Sequence, residues 1–135
     1  LVSFRVLKEY IKNYRGKPFA LIFGTDQCPR NPHKAYWTTF LGQETGVMFG
    51  TEKFAKEYDL PVFYGSISKV SRGHYEFSFV LLEADPRSAP YGRITEQHTQ
   101  ALEADILAQP EYWLWSHKRW KRPRPVKTAT KAIHH

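Results

Sequence analysis

The chain has 135 residues, of which 41% are hydrophobic and 24% are charged, and its formal net charge is +7. This length suits one domain with a core of its own, and this composition excludes a wholly disordered chain. No apolar run approaches the roughly 20 residues of a membrane-spanning helix, and Cys28, the only cysteine, excludes an intrachain disulfide and a cysteine-based metal site.

The first half of the chain predicts a helix, a buried strand and a second helix. Apolar residues at spacings of three and four predict a helix over residues 1–14. The apolar run at residues 19–23 predicts a strand that is buried on both faces. A long loop is predicted over residues 28–45, followed by a helix over residues 46–60 that Thr45 caps.

The second half predicts a hairpin and a third helix. Residues 61–70 and 74–82 predict two strands joined by a turn at residues 71–73, and the alternation in the second strand predicts that it is half-buried. Residues 94–109 predict a helix with Thr95 as its cap. This order of helices and strands predicts an α/β fold, in which sites collect at the carboxyl ends of strands.

Residues 110–124, which we call the C-terminal strip, join aromatic and cationic side chains. The strip contains three of the four tryptophans, Trp113, Trp115 and Trp120, and it lies at the start of the basic end of the chain. Residues 117–135 hold seven Lys or Arg and no acid, while residues 1–116 hold 13 of each sign.

Three interpretations of the C-terminal strip are open. Aromatic and cationic side chains together suit a lipid–water boundary with anionic headgroups. They also suit nucleic acid, where rings stack on bases and cations contact phosphates, although a nucleic-acid-binding domain usually carries its charge on a folded face. In the third interpretation the rings close a small core beside a solvated terminus.

The sequence contains no complete catalytic constellation. Asp26, the first acid after the predicted strand, could line a site or cap a loop. Cys28 has no histidine near it in sequence to activate it, so a nucleophilic role is not predicted. His98 and Glu103 have an H-x4-E spacing, but they lie about 140° apart around a helix. We therefore expect two exposed helix residues here, and no acid–base pair.

Metal and nucleotide cofactors are not expected either. The six histidines show no spacing typical of metal ligands, and the scattered glycines match no phosphate-binding loop.

Seven segments of the sequence, taken together and in order, match a known family. They are FALIFGTDQCP with Asp26, WTTFLG at 37–42, TGV at 45–47 with KFA at 53–55, PVF at 61–63, GHYEF at 73–77 and PEYWLWSHKRWK at 110–121. They resemble the C-terminal half of the bacterial lipid A biosynthesis (lauroyl/myristoyl) lysophospholipid acyltransferases, in a Bacteroidetes-like version. The resemblance covers about residues 1–125, and its last segment is the most specific.

The resemblance implies an enzyme that transfers a fatty acyl chain, from acyl carrier protein or acyl-CoA, to a hydroxyl of a lipid A precursor or related lipid. It implies the cytoplasmic face of the bacterial inner membrane, and a partial glycerol-3-phosphate acyltransferase-like sheet flanked by helices, with an antiparallel hairpin. In this family the catalytic H-x4-E/D motif and a membrane anchor precede the matching segments. We therefore expect a soluble, inactive fragment over residues 1–125, followed by a basic tail over 126–135 that ends in a possible tag remnant.

The resemblance also divides the candidate residues. Asp26 becomes the site-lining candidate, and Lys118, Arg119, Lys121 and Arg122 become candidates for contact with acceptor phosphates or an anionic membrane surface. The rings expected to pack against the sheet are those of Tyr112, Trp113 and Trp115. No nucleic-acid partner is expected; the alternative function is a non-enzymatic basic aromatic module that binds anionic lipid or nucleic acid.

Overall fold

A computed structural model of the chain describes residues 4–14 and 16–126. The helices are α1 (Phe4–Asn13), α2 (Gly50–Tyr58) and α3 (Arg93–Ala108), and the strands are β1 (Tyr36–Phe40), β2 (Gln43–Val47), β3 (Val62–Ser71) and β4 (His74–Glu83). In these ranges β1 pairs with β2 and β3 pairs with β4, both antiparallel. The structure confirms the predicted α/β class and the predicted antiparallel hairpin.

The β1–β2 hairpin occupies a stretch for which the sequence predicts a loop and the start of a helix. That prediction is wrong, because the hairpin turn depends on a distant contact. Leu41 and Gly42 have φ angles of 50° and 75°, as a two-residue hairpin turn requires. Leucine disfavours this conformation, and here its backbone N–H donates to Glu103 Oε2 of α3 at 2.6 Å.

Residues 19–23 form no strand, so this prediction is also wrong. Phe19 is 42% exposed and Ile22 is 96% exposed, and no described strand pairs with this segment. The apolar run meets the length and composition of a buried strand, but strand formation also needs a neighbour that accepts and donates backbone hydrogen bonds. The segment contacts the core through Phe23, whose ring centroid lies 5.5 Å from that of Phe54.

The start of α2 differs from the prediction because β2 takes the preceding residues. The helix begins at Gly50 after Phe49, so Thr45 is not its cap. The Thr45 hydroxyl instead donates to the Gln43 carbonyl at 2.9 Å within β2. The fully buried side chains of Phe40, Val47, Phe54 and Ile94 then place the core between the β1–β2 hairpin, α2 and α3.

The carboxylate of Glu52 joins α2 to the start of α3. Glu52 is 0% exposed, and it accepts from the backbone N–H groups of Gly92 at 2.7 Å and Thr95 at 2.9 Å, and from the Thr95 hydroxyl at 3.1 Å. The first N–H groups of a helix have no partner within the helix, and Gly92, which precedes α3, has no side chain to cap them. Glu52 therefore caps α3 from another helix, and the predicted cap, Thr95, is a donor in the first turn.

Strands β3 and β4 lie within one residue of their predicted bounds. The predicted half-burial of β4 is wrong, because Tyr75, Phe77 and Phe79 are 62%, 65% and 70% exposed. Alternation identified the strand correctly, but it cannot show whether another element covers the apolar face.

We expect Glu52→Ala to lower the free energy of unfolding by about 3 kcal/mol, because it removes charge-assisted hydrogen bonds to buried donors. Urea unfolding at neutral pH measures the change. Glu57→Ala is the matched control, since Glu57 makes a partly exposed ion pair with Lys8 and its loss should cost at most about 0.5 kcal/mol. Equal effects of the two substitutions would contradict the capping role of Glu52.

Candidate functional site

The C-terminal strip folds back over the body of the protein. The backbone N–H of Cys28 donates to His117 Nε2 at 3.0 Å, and Trp120 Nε1 donates to Thr45 Oγ1 at 2.7 Å. These hydrogen bonds join segments 89 and 75 residues apart. The strip therefore contacts both the Cys28 loop and β2. We call its contacting part, residues 117–122, the latch.

Arg119 is the buried centre of this latch. It is 4% exposed, and its Nη2 donates to the Gly46 carbonyl of β2 at 2.8 Å. Its guanidinium carbon lies 5.7 Å from the centroid of the Phe40 ring, within the range of a cation–π interaction. Desolvation lowers the pKa of Arg119, and the nearby Cys28 and Asp26 oppose that shift. The guanidinium thus lies inside the fold, where it is inaccessible to a headgroup.

The other cations of the strip divide between the interior and the surface. Arg122 is half-buried, and its Nη1 donates to the Pro29 carbonyl at 2.9 Å. Arg124 forms an exposed ion pair with Glu44 at 2.7 Å. Lys118 and Lys121 are exposed. Of the four candidates for contact with phosphates or headgroups, Lys118 and Lys121 are therefore exposed, while Arg119 and Arg122 donate to backbone carbonyls.

The aromatic residues of the strip also divide. Trp113 is half-buried and packs on Phe40 with ring centroids 6.4 Å apart, and Trp120 lies at the same distance on Phe40. The expected packing is thus confirmed for Trp113. Tyr112 and Trp115 are each 57% exposed; Tyr112 still contacts β3, with Lys69 Nζ 6.0 Å from its ring centroid, whereas Trp115 Nε1 donates to the Pro110 carbonyl. Sequence reasoning missed Phe40, whose position at the buried end of β1 makes it the common partner of the strip.

Asp26 lies beside the latch. It is half-buried, and its charge contributes to the pKa of two neighbours. It opposes the lowering of the pKa of Arg119, and it adds to the raised pKa of Tyr64 on β3, which comes mainly from burial and from a hydrogen bond to Asp105. The charge of Asp26 thus acts on both Arg119 of the strip and Tyr64 of the β3–β4 hairpin.

Cys28 is buried beneath the strip, with 8% exposure. It lies in a small cleft whose other lining residues include Trp37, Glu44, Trp120 and Arg122. The fold places His117 beside the Cys28 loop, although the two lie 89 residues apart in sequence. However, His117 Nε2 accepts a hydrogen bond from the Cys28 amide. That nitrogen is therefore occupied, and this hydrogen bond provides no base for the thiol.

His98 and Glu103 are not hydrogen-bonded to each other, as the helical geometry predicts, but the expectation that both are exposed is wrong. Glu103 holds the β1–β2 turn through Leu41. His98 is 7% exposed, and desolvation lowers its pKa to about 4, against the opposing charge of Glu52. Glu103 contacts the β1–β2 turn and His98 is buried in the fold. The pattern of the helix alone does not reveal either role.

The described residues contain neither a cluster of metal ligands nor a helix that could span a membrane. In residues 4–14 and 16–126, no three His, Cys, Asp or Glu side chains gather as a metal site requires. Over the same residues, no helix has the length and apolarity needed to cross a membrane.

Comparison with known proteins decides the family. The model of the bacterial lipid A biosynthesis acyltransferase family matches residues 6–122, which include the Asp26 loop, both hairpins and most of the strip. The chain belongs to this family. No curated protein and no solved structure matches the chain significantly. The family match confirms the resemblance seen in the sequence segments.

For this acyltransferase-family chain, we expect Arg119→Ala to lower the free energy of unfolding by about 2 kcal/mol, because it leaves the buried Gly46 carbonyl unpaired and a cavity beside Phe40. The latch should also open, so that a thiol reagent labels Cys28 faster. Lys118→Ala, at the exposed neighbouring position, should change stability by less than about 0.5 kcal/mol and leave labelling unchanged. Unaltered labelling in both variants would show that Arg119 does not close the latch.

We expect the stability of the protein to fall as pH drops from 6.5 toward 4. In this window the unfolded chain protonates His98, whose ordinary pKa is 6.5, while burial keeps the folded pKa at about 4. The loss is absent above pH 6.5, grows toward pH 4, and reaches about 3 kcal/mol for this group. Urea unfolding across this window should show a shallower pH dependence for His98→Asn. Identical slopes for the two proteins would contradict the lowered pKa.

Proposed function

We propose that this family member takes part in the transfer of a fatty acyl chain to a hydroxyl of a lipid A precursor or a related lipid. The observation that carries the proposal is the family match over residues 6–122. The proposed donor is an acyl thioester of acyl carrier protein or coenzyme A, and the proposed location is the cytoplasmic face of the bacterial inner membrane.

The proposed reaction needs one general base and a positioned acceptor. The base removes the proton of the acceptor hydroxyl, and the oxygen attacks the carbonyl carbon of the thioester. The new C–O bond forms, the C–S bond breaks, and the departing thiolate takes up a proton. A histidine oriented by a carboxylate suits the role of base.

We propose that this histidine–carboxylate pair lies outside the 135 residues. The only H-x4-E/D spacing in the sequence is that of His98 and Glu103. Glu103 is engaged by Leu41, and the buried Nε2 of His98 has no hydrogen-bond partner among the described residues. Neither residue has the geometry of the proposed base, so we expect the chain by itself to transfer no acyl group.

The proposed contribution of this chain is to bind the acceptor. Asp26 is proposed to line the site, where its carboxylate suits an acceptor hydroxyl. Lys118 and Lys121, both exposed, are proposed to contact acceptor phosphates or anionic headgroups. Arg119 and Arg122 act as positioning residues in this proposal, since their hydrogen bonds hold the strip against β2 and the Cys28 loop.

A second function, that of a non-enzymatic lipid-binding module, is favoured by the exposed apolar side chains of the strip. Tyr112, Leu114 and Trp115 are each 57% exposed, and they lie close in sequence to Lys118. Such a combination suits the headgroup region of an anionic membrane. In this function lipid binding would not depend on a phosphorylated acceptor.

The test combines an acyl-transfer assay with a binding assay. With acyl carrier protein thioester and a phosphorylated lipid A precursor, the 135-residue chain should bind the precursor and show no transfer. Turnover by this chain would overturn the placement of the base. Equal binding of phosphorylated and dephosphorylated precursor would favour the lipid-binding module.

The double substitution Lys118→Ala with Lys121→Ala should weaken precursor binding roughly tenfold, because two cations that contact phosphates are lost. The matched control removes the same charge elsewhere, at the exposed Lys12 and Lys53, and should change the affinity by less than about twofold. Equal losses in the two double variants would show that net charge, and not the strip, governs binding.

A further inference from the structure

Two guanidinium groups, those of Arg119 and Arg122, line the cleft between the Cys28 loop and the latch, which we call the Cys28 cleft. Arg122 Nη1 lies 3.8 Å from Cys28 Sγ and donates to the Pro29 carbonyl, and the charge of Arg119 interacts with that of Cys28. The volume of the cleft is about 10 Å³, which suits one particle of the size of a water molecule. Two positive charges therefore line a site for a single small occupant.

Arg119 has a hydrogen-bond donor that the fold does not use. A guanidinium carries five N–H donors, and Nη2 of Arg119 donates to the Gly46 carbonyl. The buried Nε has no hydrogen-bond partner among the described residues, and the residue is 4% exposed. A buried charged donor without an acceptor is costly. Arg119 thus brings to the cleft both a positive charge and an unused donor.

Carboxylates do not pair with the two guanidinium groups of the cleft. Among residues 4–14 and 16–126, neither Arg119 nor Arg122 forms an ion pair. Glu44 also lines the cleft, but it pairs with Arg124 at 2.7 Å and its side chain is 58% exposed. The charge of Asp26 acts on Arg119 without forming an ion pair with it. The cleft therefore has an excess of positive charge.

Two indole rings complete the wall of the Cys28 cleft. They belong to Trp37 and Trp120, whose Nε1 atoms donate to the Pro32 carbonyl and to Thr45 Oγ1. The polar atoms of both rings are thus engaged, so the rings contribute apolar surface to the cleft. Apolar surroundings strengthen the attraction between opposite charges, which favours an anion in this position.

We propose that the Cys28 cleft binds one small inorganic anion of the size of chloride. The ion accepts hydrogen bonds from Arg119 Nε and from the guanidinium of Arg122. The small volume favours a monatomic ion over a phosphate group. Because the ion supplies a counter-charge at the junction between the Cys28 loop and the latch, its binding stabilises the closed latch. This binding does not depend on the proposed acyl transfer, and it uses neither Lys118 nor Lys121.

Urea unfolding tests the site with chloride as the probe. The 135-residue chain is compared in sodium chloride and in sodium gluconate at equal ionic strength, because gluconate is too large for the cleft. A ligand that binds only the folded state shifts the equilibrium toward it, and chloride at about ten times its dissociation constant should raise the folded-to-unfolded ratio about elevenfold. Chloride should also slow the labelling of Cys28 by a thiol reagent, since the bound ion holds the latch closed.

Three variants locate the ion. Arg119→Met removes one charge and the unused donor, and it should abolish the chloride dependence of stability. Since loss of Arg119 also weakens the latch, Arg122→Gln is a second, milder variant, which should weaken chloride binding roughly tenfold with an unchanged circular dichroism spectrum. Lys121→Gln is the matched control, because it removes the same charge at an exposed neighbouring position. It should change chloride binding by less than about twofold.

Three results would overturn the proposal. Equal stability and equal Cys28 labelling in chloride and gluconate would show that the cleft holds water only. A chloride dependence that persists unchanged in Arg119→Met and Arg122→Gln would place the ion elsewhere. Equal weakening in Arg122→Gln and Lys121→Gln would assign the effect to net charge. Chloride binding that both arginine variants reduce and Lys121→Gln retains would support the site, whether or not the chain takes part in acyl transfer.

Discussion

The buried guanidinium of Arg119 is the constraint on which the C-terminal half of this structure depends. A charge withdrawn from water is costly unless polar or aromatic groups replace its hydration. Here the Gly46 carbonyl and the Phe40 ring replace part of that hydration, while the buried Nε has no hydrogen-bond partner among the described residues. The carbonyl and the ring both belong to the β1–β2 hairpin. The strip can therefore close only when that hairpin has formed, and the hairpin in turn needs the Glu103 contact that holds its Leu41 turn. Three segments far apart in sequence are thus joined by contacts to one hairpin.

A second buried charge plays the corresponding part in the helical layer. Glu52 is inaccessible to water, and its carboxylate takes the place of the cap that Gly92 cannot supply to α3. The helix N-terminus, with its free N–H groups, is a favourable place for a negative charge. Lys56, at 3.6 Å, adds an opposite charge at the edge of the site. The two interior charges therefore act through backbone groups, and both fix the relative positions of secondary-structure elements.

The buried contacts of the strip limit which of its basic residues can serve the function proposed from the family match. The basic residues of the strip fall into an inner group that builds the fold and an outer group, Lys118 and Lys121, that is available to a ligand. Asp26 belongs to the loop whose Cys28 and Pro29 are hydrogen-bonded to His117 and Arg122, so the strip also positions the loop that carries this carboxylate. The proposed acceptor contacts, Lys118 and Lys121, are thus separate from the residues that hold the strip against the fold, so the two sets can be varied independently.

The sequence by itself determined the family, the α/β class, the three helices to within a few residues, and the β3–β4 hairpin. These features depend on local periodicity and on a run of matching segments, both of which can be read along the chain. Only the tertiary structure decided that residues 19–23 form no strand, that the β1–β2 hairpin exists, and that Arg119 is buried while Lys118 is exposed. Each of these outcomes depends on a partner far away in sequence, such as Glu103 for Leu41 or Gly46 for Arg119. The type of a residue indicates whether it needs apolar packing or a polar partner. Only the fold decides which distant residue provides that contact.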